Sequence, residues 1–131
     1  MIYNFSQYLK IKLPSETIYT NGELANSPDR IILVKEAGGP IVARTDFASP
    51  VIQITARDVD TVKARVLSYE IYNLIKDIYG LELPAVTVNE EIYASVELAQ
   101  ITANQQPYPM GVDEQGRYVY VNNYRIHFTE A

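Results

Sequence analysis

Apolar residues recur along this chain with two different periods. Over residues 61 to 78 they fall at three- and four-residue steps, and Ala64, Leu67, Ile71, Leu74, Ile75 and Ile78 make one stripe. The spacing predicts one long helix over about 60–79, packed by that stripe onto a sheet. Asp58 or Asp60 can cap its start with a side-chain oxygen, and Gly80 can supply a left-handed stop. Val62, Val66 and Tyr69 fall roughly on the opposite side, where a solvated helix would carry charge. That second patch calls for another layer or another chain to cover it. A short N-terminal helix is predicted from Ile2, Phe5, Tyr8 and Leu9, ended by Pro14.

Elsewhere the period is two, the signature of strands. Arg30 to Glu36 is β-branched and compact, and "GGP" at Gly38–Pro40 stops it. From Pro50 to Arg57, Ile52, Ile54 and Ala56 share one face. "AVTV" at Ala85–Val88 is a brief strand, and Ile92 to Ala103 a long one whose apolar phase shifts near Leu98, as a bulge would make it. The last strand, Arg117 to Thr129, sets Tyr118, Tyr120, Tyr124, Ile126 and Phe128 on one face. It should pair antiparallel with the long strand before it. Between these two lies a polar loop, Asn104 to Gly116, long for a plain hairpin. "TNGE" at Thr20–Glu23 reads as a tight turn or a loop. Together the elements give an α+β fold: a mostly antiparallel sheet, one long helix on it and a short N-terminal helix.

With 131 residues, 47% hydrophobic and 21% charged, the chain is sized for a single domain, 1–131, with one core. Sixteen acids against eleven bases give a net charge of −5, which repels phosphate backbones and disfavours tight nucleic-acid binding. There is no cysteine, so disulfides and thiolate chemistry are excluded. No apolar run approaches the about 18 residues of a membrane span, and nothing resembles a leader, so a soluble product of the cytoplasm is expected. Eleven tyrosines suit both half-buried sheet positions and wet protein interfaces.

Candidate chemistry is sparse. Asp113-Glu114 sits in a glycine-rich turn rather than in an apolar site that would drive two carboxyl pKa values apart. Asp113 is placed to bond its own backbone, Gly116 to take positive φ, and Arg117 to pair with one of the acids. His127 stands alone on a strand. Asp58 and Asp60 read as helix caps rather than metal ligands, and Arg44, Arg57 and Arg65 as ion-pairing bases rather than a basic patch. No phosphate loop or nucleophile elbow is present. No enzyme activity, cofactor or metal is expected.

A strand ending in "ARD", the helix "VKARVLSYEIYNLI" and above all "PYPMGVDEQGRYVYVNNYRIHF" resemble phage minor capsid proteins of the tail terminator family, found in long-tailed phages and prophages. The resemblance spans roughly Val51 to Phe128. It implies a structural role without catalysis: a six-membered ring that caps the tail tube, stops its growth and docks onto the head connector. DNA would pass through the hole without specific binding, and no membrane is involved. The implied partners are further copies of the chain, the tail tube protein and the connector, and the implied location is the head–tail junction of the virion. For such a ring the candidate contacts are Val62, Val66 and Tyr69 on one flank, with Tyr118 and Tyr120 of the last strand on the other. In the loop they are Tyr108, Met110, Asp113, Glu114 and Arg117. Glu90-Glu91 and Asp113-Glu114 are candidate lumen acids. Two other readings remain: a neck or head-completion protein on the portal side, and a small enzyme or ligand-binding domain with a pocket between helix and sheet.

Overall fold

A computed structural model describes residues 1–23, 26–38, 41–42, 47–48 and 50–128 of the chain. In chain order the elements are α1 (Ile2–Lys12), β1 (Ile18–Thr20), β2 (Ile31–Glu36), β3 (Ile41–Val42), β4 (Phe47–Ala48) and β5 (Val51–Asp58). Then come α2 (Thr61–Ile75), β6 (Tyr79–Leu83), β7 (Val86–Val88), β8 (Glu91–Tyr93), β9 (Val96–Ala103), β10 (Tyr108–Val112) and β11 (Tyr118–Phe128). The fold is α+β with a mostly antiparallel sheet and a short N-terminal helix, as the periodicities indicate.

Seven strands form the main sheet in the order β1-β2-β5-β11-β9-β6, with β10 added to β11. β1 and β2 run parallel, and the other pairs are antiparallel. β11 is long enough to serve three neighbours: Tyr118–Arg125 face β5, while β10 and β9 share its other edge. Register aligns the apolar positions. Ile54 lies between Val34 and Asn122, and Ile52 lies beside Tyr124, so the alternating residues of three strands make one mostly apolar face, with buried Asn122 bonded within it to Gln105 O.

Both helices cover that face. Leu67, Ile71 and Ile75 of α2 join Phe5 and Leu9 of α1, Ile52 and Ile54 of β5, Ile101 of β9, and Tyr124 and Ile126 of β11 in one core cluster. Each such side chain, fully withdrawn from water, contributes about 1.5–3 kcal/mol of transfer free energy. α1 lies against β1 and β2 and also against β6 and β7, so it bridges the two edges of the curled sheet. Polar bonds fix the bridge: Thr20 Oγ1 donates to Ser6 Oγ (2.7 Å), and the Asn4 amide donates to the carbonyl oxygens of Pro84, Tyr93 and Ala94 (2.9, 3.2 and 2.9 Å).

Several elements depart from the sequence reading. The helix expected over 60–79 ends at Ile75, fifteen residues long, with Lys76 still right-handed as its C-cap. Gly80 does take positive φ (64°), yet it does so inside β6, because Tyr79–Leu83 pair with β9 and bury Leu83. Cross-strand pairing with β9 outcompetes the further helical turn, about one, that residues 76–79 would have added. The strand expected over Ile92–Ala103 is broken at Ala94-Ser95 into β8 and β9, and β8 pairs with β7 in a separate hairpin. The loop expected over Asn104–Gly116 contains β10, paired to β11. The three-residue β1 was too short to stand out. The phase shift near Leu98 is a bulge: partners step from His127–Gln100 to Phe128–Leu98, leaving Ala99 unmatched. Gly39-Pro40, expected to end the first strand, and Arg44 lie outside the described residues.

Candidate functional site

The start of α2 is built by acids acting as caps. Asp60 Oδ1 accepts from the amides of Val62 (2.8 Å) and Lys63 (3.2 Å), satisfying donors the helix cannot pair itself. Asp58 accepts from the Asp60 amide (3.0 Å) and from Arg30 Nη1 (3.0 Å). Arg30 also grips Glu16 with two N–H groups, at 3.0 and 2.8 Å, and its pKa is raised chiefly by that pairing. Beside this cluster lies a groove of about 400 Å³ lined by Arg30, Asp58, Val62, Lys63 and Val66. Val62 and Val66 are 65% and 55% exposed, so two β-branched apolar residues stand in water on the helix flank. Tyr69 is engaged differently. The Arg65 guanidinium sits 4.5 Å from its ring centroid, its ring meets Tyr72 edge-on at 5.9 Å, and Lys76 lies 5.2 Å over Tyr72.

At the same end of the sheet, the β10–β11 turn is held by one carboxylate. Asp113 Oδ1 accepts from the amides of Gln115 (3.0 Å) and Arg117 (2.9 Å), and Oδ2 from Arg117 Nε (2.8 Å), while Gly116 takes φ 78°. Asp113 is therefore the turn's own scaffold, as its position suggested, and the neighbouring Glu114 is exposed. Met110 and Val112 are exposed on β10, Tyr108 is half-buried there, and on β11 Tyr118 is exposed and Tyr120 half-buried. The outer edge of β10 carries Pro109 and a register irregularity next to it, devices that discourage further strand pairing. Arg57, one of the candidate surface bases, is buried instead. It donates to Asp29 O, Glu23, Ser27 Oγ and Pro28 O, clamping Glu23 and the Ser27–Asp29 stretch to the sheet's second face.

At the opposite end the β7–β8 hairpin projects from the main sheet. Its two-residue loop, Asn89-Glu90, has φ of 50° and 70°, the mirror-type turn that matches strand twist. It is fixed at its base by the Asn4 amide and by Tyr93, whose ring lies 5.1 Å from that of Tyr3. Ile92, 80% exposed, stands beside Glu90 and Glu91. Sequence reading missed this hairpin by running Ile92 into the next strand. The usable signal was "VTVNEEIY", where an Asn-led pair divides two alternating runs.

The carboxylates have a common behaviour. Burial would raise Asp58, and partial desolvation Asp113, but the hydrogen bonds and positive charge just described outweigh it and hold both below the ordinary 3.8. Glu23 is held below its ordinary 4.5 first by the Ser27 hydroxyl and then by Arg57. A folded-state pKa below the unfolded one stabilises the native chain at higher pH and loses that stabilisation as pH falls through the shifted value. The melting temperature should therefore be level near neutrality and fall progressively below pH 4.5, with Asp58→Asn lowering the neutral value and flattening the acid slope. Calorimetry between neutral and acid pH checks this, and an acid-insensitive melting temperature contradicts it.

Among the described residues no group of three or more His, Cys, Asp or Glu side chains is placed to hold a metal, and no helix is long and apolar enough to cross a membrane. His127 is half-buried on the face away from the helices, opposite Gln100. The geometry offers surfaces: a groove and a turn at one end of the strands and a projecting hairpin at the other. Compared with known families, residues 11–130 match the model described as "Bacteriophage tail terminator protein". The match reaches well upstream of Val51, where the visible resemblance began. No curated protein matches the chain.

Proposed function

The chain belongs to the bacteriophage tail terminator family, and we propose that it closes the finished tail tube as a ring and presents the surface that joins tail to head. The family is structural rather than enzymatic, which agrees with a molecule whose exposed features are contact surfaces. The observation that carries the proposal is the family match over nearly the whole chain. Its physical support is the flank of α2, where Val62 and Val66 stand exposed beside a groove, as an uncovered subunit contact would leave them. A ring needs two different patches that meet between neighbours with a rotation that closes, and six copies is the expected number.

In this reading the tail tube protein and the head connector meet the ring's two faces, and the protein resides at the head–tail junction of the virion. We assign Met110, Glu114 and Tyr118, exposed on the β10–β11 hairpin, to one of those contacts, with half-buried Tyr108 and Tyr120 beside them. Asp113 and Arg117 hold the hairpin's shape. The net charge of −5 suits a ring through which DNA slides without adhering. A neck protein on the portal side would share these properties, and gold-labelled antibody separates the two. On tails purified from a strain that makes no heads, label at one end of each tail is expected. Label found on heads alone contradicts the assignment.

A further inference from the structure

The groove beside α2 and the β7–β8 hairpin are complementary in charge and position. From this we infer that the groove of one copy seats the hairpin of the next. The inference rests on the ring reading above and names the two halves of its subunit contact. Three observations lead to it.

The first is position. β5 and β9 both run antiparallel to β11, so they point the same way. The groove lies at Asp58, the C-terminal end of β5, and the hairpin joins β9 at Val96, its N-terminal end. The two features stand at opposite ends of the sheet, so a copy cannot seat its own hairpin and the contact joins different copies; made head to tail with a rotation that closes, it forms a ring.

The second is charge. Over Thr61–Tyr69 the helix carries Lys63 and Arg65 and no acid, within a chain whose net charge is −5. Over Val86–Tyr93 the hairpin carries Glu90 and Glu91 and no base. Among the described residues none of these four makes an ion pair within its own chain. Each patch pairs its charges with apolar residues: Val62 and Val66 in the groove wall, Ile92 on the hairpin. Ile92 entering between the valines brings the hairpin's turn, with Glu90, toward Lys63 and Arg65, while Glu91 flanks the contact from the other face of β8, where its carboxylate accepts from the Tyr93 hydroxyl (3.0 Å).

The third is backbone strain. Glu90 sits at φ 70°, where glycine is favoured and a glutamate is costly. The proposed contact gives the carboxylate at that position a partner, which offsets the strain. The contact assigns Glu90-Glu91 to the subunit boundary in place of the lumen.

The chain has no cysteine, so engineered pairs report without background. Val66→Cys and Ile92→Cys change exposed residues and leave the core untouched. Purified tails carrying both changes in one chain, oxidised and run on a non-reducing denaturing gel, should give a ladder of multimers ending at the ring size. An equal mixture of the two single variants should stop at dimers. A double variant that stays monomeric in capped tails of normal length would overturn the hairpin–groove pairing while leaving the ring intact. Cross-linking of the Ile92→Cys site to a different tail protein would overturn it too. Absence of the protein from tails would instead remove the ring reading beneath it.

A second arm needs no disulfide. Lys63→Glu with Arg65→Glu, or Glu90→Lys with Glu91→Lys, should each cut the yield of joined particles more than tenfold, and all four changes together should restore most of it. Glu90→Gly should raise the melting temperature of the isolated subunit while weakening assembly. Unchanged assembly in that variant would overturn the role given to the Glu90 carboxylate.

Discussion

Phe5→Ala is expected to lower the unfolding free energy by about 3–5 kcal/mol, the usual cost of emptying a fully enclosed aromatic site. Phe5 has 0% exposure and sits in the core cluster with Leu9, Ile32, Ile54 and Leu67. Its helix touches β1 and β2 on one side and β6 and β7 on the other, so the cavity would weaken an element that ties both sheet edges together. Small domains have a total stability of about 5–15 kcal/mol, and a loss of this size leaves a substantial unfolded fraction at growth temperature. Urea unfolding checks it: the midpoint should move to much lower denaturant with little change in slope. A loss below about 1 kcal/mol would mean that the sheet holds its curl without α1. Residues 2–10 precede the family match, which starts at residue 11, so most of this clamp lies outside the matched segment.

Val62→Asp together with Val66→Asp should have the opposite profile, with stability nearly unchanged and assembly lost. Both side chains are exposed, so the isolated fold should shift by only about 0.5 kcal/mol. An acid in the first helical turn even favours the macrodipole. In the proposed ring both positions are covered, and a carboxylate buried there without a partner costs about 2 kcal/mol or more. That is about thirtyfold per residue at every boundary, and it compounds around a closed ring. Circular dichroism should be native while the yield of joined particles collapses. Normal particle yield from this variant would remove the α2 flank from the subunit contact.

Which parts of this molecule were legible in sequence follows from how local their causes are. α1, the cap of α2, the strands at Ile31–Glu36 and Val51–Asp58 and the bulge beside Leu98 rest on short-range periodicity and capping, and they stand where the pattern put them. The Asp113 turn was readable for the same reason, since its partners lie within four residues. The stretch around Tyr79–Leu83 was not, because its strand state depends on β9, some twenty residues away. The groove was half visible. Val62 and Val66 marked an unexplained apolar flank, but Arg30 joins it only through the β2–β5 register, and Tyr69 leaves it for Arg65 and Tyr72. Glu90-Glu91 entered the sequence reading only as candidate lumen acids, and the two-residue turn between β7 and β8 is what shows that they are carried on a hairpin with Ile92.

The central claim is that this chain ends tail growth by covering the tube, and the length distribution of tails seen by electron microscopy tests it most directly. Tails from cells making the wild-type chain should show one narrow length and carry heads. Tails from cells lacking it should be headless and extend well beyond that length, with a broad spread. A narrow, unchanged length in its absence would contradict the account.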